Sequence, residues 1–205
     1  MIGIIDYGLG NLRSVVGAVE KVGFEACVSA DIETLSHAEK LILPGVGAFG
    51  DGMANLHARG LVEPLNELVV KRAKPILGIC LGFQLITQSS VEFGAHEGLG
   101  WIDAQVERLE PADPELRVPH VGWNELAQTQ DCVLFDDIPD ASLFYFVHSY
   151  RMSVNDDALI IGTCDYAGPV VAAVRHRNIY AVQFHPEKSQ RHGLTLLKNF
   201  LERAQ

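Results

Sequence analysis

Residues 75–84 read Pro75-Ile76-Leu77-Gly78-Ile79-Cys80-Leu81-Gly82-Phe83-Gln84, and this stretch decides the fold. Ile76, Leu77 and Ile79 form a short apolar run of the kind buried on both faces of a parallel sheet. Leu81, Gln84, Leu85 and Gln88 then take up helical spacing. The sequence therefore predicts a strand, a sharp elbow and a helix start, with Cys80 at the strand's carboxyl end. Gly78 and Gly82 stand two residues either side of Cys80. That is the pattern of a nucleophile elbow, where small neighbours let the chain turn tightly and expose the central side chain. The first amides of the following helix would point at the reacting centre, lowering the thiol pKa and offering donors to an oxyanion. A lone cysteine in an apolar run is more often inert core; the paired glycines are what set the nucleophile against that ordinary role.

Upstream of the elbow the texture is a regular β and α alternation. Met1 to Tyr7 reads as a strand, Gly8-Leu9-Gly10 as a turn, and Asn11 as the cap of a helix whose Leu12, Val15, Val16 and Val19 make an apolar stripe ending at Gly23. The third glycine of a dinucleotide fingerprint is replaced by Arg13, which excludes a Rossmann cofactor site. Strands follow at Glu25 to Ser29 and Lys40 to Leu43, separated by a short acidic helix starting near Asp31. Next comes Pro44-Gly45-Val46-Gly47-Ala48-Phe49-Gly50-Asp51-Gly52, a glycine-dense loop leaving a strand's carboxyl end, where open α/β sheets bind ligands. Such a loop can be a plain connection, or it can aim backbone N–H groups at a substrate. Helical spacing resumes from Leu61 to Lys71.

Downstream the alternation gives way to short strands. Gly94 to Gly100 reads as loop; Trp101 to Leu109, Leu116 to Gly122, Ala141 to Val147, Ala158 to Thr163, Val170 to Arg175 and Ile179 to Phe184 read as strands. Leu194 to Leu201 closes the chain as a helix. The expected fold is α/β: an open, mostly parallel central sheet flanked by helices, with a β-rich second half, in one domain spanning residues 1–205.

With 205 residues, 48% of them hydrophobic and 20% charged, the chain has the composition of a soluble globular protein. Met1-Ile2-Gly3-Ile4-Ile5-Asp6 lacks the basic start of a signal peptide, and no apolar run is long enough for a bilayer, so a cytoplasmic location without membrane contact is expected. A formal charge of −10 argues against nucleic-acid binding. Cys27, Cys80, Cys132 and Cys164 are too scattered for a disulfide scaffold or a zinc ribbon.

A cysteine nucleophile needs a base. Of the eight histidines, His37, His57, His96 and His192 fall in polar, exposed-looking stretches. His185 opens His185-Pro186-Glu187-Lys188 after a strand, and alternation along an extended segment would bring Glu187 to its side. Cys80, His185 and Glu187 thus form a candidate triad in which the carboxylate orients the imidazole and stabilises the imidazolium. A zinc deaminase would need a later Pro-Cys-x-x-Cys, and the last cysteine is Cys164, so no metal and no cofactor is expected. An α/β hydrolase would place its acid before the histidine, which fits less well. The tetrahedral oxyanion would take the Leu81 amide and one from Gly45, Val46 or Gly47.

A Gly-x-Cys-x-Gly elbow with a late His-Pro-Glu resembles the class I, triad-type glutamine amidotransferases. The match extends to the glutaminase subunits of imidazole glycerol phosphate synthase through residues 6–12, 43–47, 119–124, 144–150 and 183–189, whose sequences are DYGLGNL, LPGVG, PHVGWN, FYFVHSY and QFHPEKS. The resemblance implies hydrolysis of L-glutamine to glutamate and ammonia, with ammonia passed to a (β/α)₈ cyclase/synthase subunit as heterodimer partner. It further implies that Gln84 and Glu92 hold the substrate's amino-acid end, aided by backbone groups of Gly47, His148, Ser149 and Tyr150. The chain shows no phosphate-binding loop or acceptor site of its own, so the ammonia must be used by a partner. Asn11, Trp123, Asn124 and Lys188 are the candidate contacts, with core burial the other role open to Trp123. Another amidotransferase's glutaminase, a stand-alone cysteine hydrolase and a noncatalytic subunit are the rival functions.

Overall fold

The structure, a computed structural model, describes residues 1–204. The first half runs β1 (Ile2–Ile5), α1 (Leu12–Lys21), β2 (Ala26–Ser29), α2 (Ile32–His37), β3 (Lys40–Gly45), α3 (Phe49–Ala58), α4 (Val62–Asn66), β4 (Ile76–Cys80) and α5 (Leu81–Leu85). The second half runs β5 (Ser89–Ser90), β6 (His96–Glu97), β7 (Ala104–Arg108), β8 (His120–Gln128), β9 (Ser142–His148), β10 (Tyr150–Val154), β11 (Ile160–Asp165), β12 (Pro169–His176), β13 (Ile179–Val182) and α6 (Gln190–Arg203).

Nine strands form one mixed sheet in the order β2-β1-β3-β4-β13-β12-β11-β8-β9. From β2 to β13 neighbours are parallel; from β13 to β9 they are antiparallel. The expected parallel sheet and the β-rich second half are therefore two parts of one surface. A smaller sheet, β10-β7-β5-β6, stands beside it. The central strands are apolar throughout because both faces are covered. Ile4, Ile42, Leu77, Ile79, Tyr180 and Val182 pack with α1 and α6 on one side. Ile5, Leu41, Leu43, Ile76, Ile179 and Ala181 pack with α2, α3, α4 and the small sheet on the other.

Several local expectations are corrected. The strand expected at 116–122 is β8, and it starts only at His120. Pro119 has no N–H for the ladder, and the pairing with β9 runs from His120↔His148 to Leu126↔Ser142. Trp101 and Ile102 precede β7 in a loop, both donating backbone N–H groups to the Ile86 carbonyl. The helix expected over Leu61 to Lys71 is α4 followed by a wider π-turn, Glu67–Lys71. Asp31 caps α2 by accepting from the Thr34 N–H at 2.9 Å, as its residue type dictates, whereas the Asn11 side chain makes no capping bond to α1. The 158–163 strand is β11, preceded by a short 3₁₀ turn at Asp157–Leu159. His96 and His192 are half-buried rather than exposed, and His96 lies in β6 within the expected loop.

The topology decides where chemistry can occur. β13 returns from the far end of the chain to lie parallel to β4, with Val182 opposite Ile79. On the other side of β4, Gly45 of β3 stands opposite Cys80. The segments leaving β3, β4 and β13 therefore emerge together at the carboxyl edge of the sheet.

Candidate active site

Cys80 occupies the turn between β4 and α5 at φ +54° and ψ −103°, a conformation that an L-residue adopts only under constraint. A Cβ at Gly82 would overlap the Leu43 carbonyl oxygen, and one at Gly78 would press on the Gly82 carbonyl. The two glycines are thus required by close backbone approach, as the elbow motif implies. α5 is only five residues long and is closed by Thr87, whose hydroxyl bonds the Gln84 carbonyl at 2.9 Å. So short a helix carries little macrodipole, which corrects the expected helix contribution; the Leu81 N–H beside Cys80 remains as an individual donor.

His185 is held on three sides. Its backbone N–H donates to the Tyr145 carbonyl at 2.9 Å, its carbonyl accepts from Ser189 Oγ at 2.6 Å, and Nδ1 meets Glu187 Oε1 at 2.8 Å. Glu187 reaches the ring by a different route from the one expected. Pro186–Lys188 form a 3₁₀ turn rather than an extended segment, and the turn folds the carboxylate back onto the imidazole. Both side chains are nearly inaccessible, at 2% and 1% exposure. Since a carboxylate only accepts, Nδ1 carries the proton and Nε2 of the neutral ring is the basic nitrogen. Nε2 is buried with no partner of its own among the described residues. Burial lowers the His185 pKa, but Cys80 and Glu187 on either side outweigh it and raise the value to about 9. The site therefore favours the imidazolium form of His185 at neutral pH.

A cavity of about 350 Å³ opens over Cys80. Its walls include Val46, Gly47, Leu81, Gln84, Glu92, His148, Ser149, Tyr150 and His185, which brings together the expected substrate and oxyanion residues except Gly45, with Pro119 and Val147 completing the lining. Glu187 sits behind His185. Gly47, at φ +106°, allows the turn that lays the 45–47 loop against the elbow. The Glu92 carboxylate is 8% exposed and accepts the Phe49 N–H at the start of α3 at 2.6 Å. Gln84 donates its amide to the Tyr150 carbonyl at 3.3 Å and to Gln183 Oε1 at 3.0 Å.

Two neighbours escaped the sequence reading. The hydroxyl of Tyr7, just beyond β1, is fully buried with no hydrogen-bond partner among the described residues, and it lies where a Gly45 side chain would be. Burial, and then the negative charge of Cys80, push its pKa up. Gln183 lies just past β13 and donates to Cys80 Sγ at 3.8 Å. Both belong to motifs that stood out locally, yet only strand pairing reveals what they touch.

None of the four proposed partner contacts lines the cavity. Trp123 is 45% exposed, which removes the core alternative; it stands edge-on to Tyr145, over whose ring Lys188 Nζ lies at 5.8 Å. Val121 and Leu143 extend this exposed face. Asn124 points to the opposite face of β8, donating to the Asp165 carbonyl at 2.8 Å and meeting His120 Nε2 at 3.3 Å. Asn11 is half-buried at the start of α1.

Comparison with known proteins agrees with this geometry. The family model described as glutamine amidotransferase class-I matches residues 3–204. An "Imidazole glycerol phosphate synthase subunit HisH" from Geobacter sulfurreducens is 49% identical over 205 residues, covering 98% of each chain. A "HisH 2" subunit of the same synthase from Methanococcus maripaludis is 45% identical over 204 residues, covering 100% of both. Among solved structures, PurLQS from Thermotoga maritima superposes with a TM-score of 0.74 at 20% identity, covering 98% of this chain and 96% of that one, a likeness of fold. The elbow cysteine, the histidine and carboxylate behind it, and the full-length match together place this chain in the class I glutamine amidotransferase family.

Proposed function

We infer that the chain is the glutaminase subunit of imidazole glycerol phosphate synthase. It hydrolyses L-glutamine in the cytoplasm and delivers ammonia to a (β/α)₈ synthase subunit that makes imidazole glycerol phosphate in histidine biosynthesis. The observation that carries this reading is the elbow Cys80 with His185 beside it, locked at its far nitrogen by the buried Glu187. The near full-length similarity to HisH subunits of imidazole glycerol phosphate synthase supports this reading of substrate and partner class.

In the proposed reaction the Cys80 thiolate attacks the substrate's carboxamide carbon. The resulting oxyanion is held by backbone N–H groups of Leu81 and of Val46 or Gly47. Protonated His185 gives its Nε2 proton to the departing ammonia, leaving a glutamyl thioester on Cys80. Neutral His185 then takes a proton from water, which attacks the thioester; collapse returns the thiolate and releases glutamate. Glu187 keeps the proton on Nδ1 throughout. In the amino-acid subsite, the Gln84 amide nitrogen is already engaged, so its carbonyl oxygen and the Glu92 carboxylate are the acceptors for the substrate ammonium. Backbone groups of Gly47, His148, Ser149 and Tyr150 serve the remaining polar atoms.

The test separates the two half-reactions. In the reconstituted pair, Cys80→Ala abolishes glutamine-dependent synthesis and leaves synthesis from ammonium salts intact. Loss of both activities sinks the division of labour. If glutamine hydrolysis by the free chain is already full and unaffected by the barrel subunit and its nucleotide ligand, the stand-alone hydrolase takes its place.

A further inference from the structure

From the cavity wall at Tyr150 and Gln84 to the buried Gln183 beside Cys80 runs a line of hydrogen bonds whose direction chemistry fixes at every step. The Tyr150 carbonyl can only accept. The Gln84 group facing it at 3.3 Å is therefore the amide nitrogen, and the same nitrogen donates to Gln183 at 3.0 Å. The Gln183 atom that receives it must be Oε1, which leaves Gln183 Nε2 turned toward Cys80 Sγ at 3.8 Å, within the reach of an N–H donor to sulfur. Gln183 is 0% exposed and Gln84 6%. Two buried carboxamides thus have one available orientation each.

The line continues beyond Tyr150. His148 Nδ1 donates to the same Tyr150 carbonyl at 2.8 Å, so His148 Nε2 is the acceptor that faces His120 Nδ1 at 3.0 Å. His120 Nε2 in turn faces the Asn124 amide. The Tyr150 carbonyl is consequently anchored by two donors and cannot turn away without orphaning both.

We propose that Gln183 belongs to the catalytic set as the donor that holds and stabilises the Cys80 thiolate, with Gln84 the positioning residue that aims it. A second polar neighbour of Sγ, the Val147 carbonyl, defines what the amide does. The thiol form can donate to the Val147 carbonyl, 4.0 Å away, whereas the thiolate, a much stronger acceptor than the thiol sulfur, gains far more from a donor. The Gln183 N–H therefore favours the ionised form and draws Sγ away from Val147. Because Gln183 does not line the cavity, it touches the nucleophile and not the substrate. The proposal rests on Cys80 being the nucleophile, as argued above.

The test reads Cys80 directly. The titratable groups around Sγ are His185 after β13, Tyr7 after β1, His148 of β9 and Glu92 across the cavity, and none is altered by changing Gln183. The pH dependence of Cys80 alkylation by iodoacetamide is measured on the full chain by peptide mass. Gln183→Met keeps the side-chain length and removes the donor. Losing a hydrogen bond to a charged group should slow alkylation about tenfold at pH 7, with the curves converging at high pH. In the complex with the synthase subunit, kcat for glutamine falls by a similar factor while KM changes little. If Gln183→Met does not fold, Gln84→Met, which frees Gln183 to turn, should shift the alkylation curve the same way by a smaller amount. Curves that superimpose on wild type in a folded variant overturn the proposal. A wild-type Cys80 that alkylates like an ordinary thiol, and takes no glutamine-derived electrophile, would instead overturn the nucleophile reading itself.

Discussion

Replacing Glu187 with glutamine keeps the volume behind His185 and removes the charge. The rise of the His185 pKa from 6.5 to about 9 corresponds to about 3 kcal/mol in favour of imidazolium, won against burial by Cys80 and Glu187 together. Removing Glu187 withdraws one of the two groups that hold the imidazolium against burial, so the His185 pKa should fall. A second loss adds to the first. Glutamine can present its N–H to Nδ1, which drives the ring proton to Nε2 and removes the base that faces Cys80. Glutaminase kcat in the reconstituted complex should therefore fall about 10²-fold or more. Synthesis from ammonium should not change, because the triad takes no part in it. The pH profile is the sharper reading. Glutamate release measured from pH 5.5 to 10 should lose activity in the wild type as pH rises through about 9, and in the variant this alkaline limb moves toward neutral pH. A Glu187→Gln variant with wild-type rate and an unmoved alkaline limb would refute the assigned role of the buried pair.

Gly82→Ala places a methyl group against the Leu43 carbonyl; urea unfolding should show a loss of about 2–4 kcal/mol, and a loss under 1 would mean that the elbow is looser than described. Trp123→Ala, at a 45% exposed position, should leave the stability of the free chain within about 0.5 kcal/mol and weaken calorimetric binding of the synthase subunit by about 2 kcal/mol, the cost of an exposed aromatic anchor. Burial holds the His120 and His148 pKa values down at about 4. The unfolded chain therefore binds more protons between pH 6.5 and 4, and unfolding free energy should drop toward acid by up to about 1.4 kcal/mol per pH unit for each histidine. His185, with its raised pKa, has the opposite sign: its contribution is complete below about 6.5 and is lost as pH rises through about 9. His120→Asn should flatten the acid limb alone.

What was legible in the chain follows from the range of each signal. The elbow is local, since its apolar run, its cysteine and its two glycines lie within ten residues, and the fold class follows from the alternation around it. The association of His185 with Glu187 was also legible, but its cause was not. Proximity along the chain suggested an extended segment, whereas the residues after His185 take a 3₁₀ turn in which the carboxylate folds back. β8 was displaced because its polar alternation, with Asn124 and Glu125 in mid-strand, hides it from a search for apolar runs, and its start is set by Pro119. That displacement matters for function. With β8 correctly placed, Trp123 and Asn124 fall on opposite faces, one exposed and one joined to His120. Gln183 and Tyr7 could not have been linked to Cys80 from sequence spacing, because β13 and β1 reach β4 only through long-range parallel pairing.

The central claim is a covalent glutamyl intermediate on Cys80, and acid quenching of the working complex tests it most directly. Rapid mixing of the reconstituted enzyme with glutamine, quenching within one turnover and mass analysis of the peptide carrying Cys80 should reveal a glutamyl thioester. The adduct should form and decay at rates compatible with glutamate release. Turnover of glutamine with no adduct on Cys80, or with an adduct on another residue, would contradict the account.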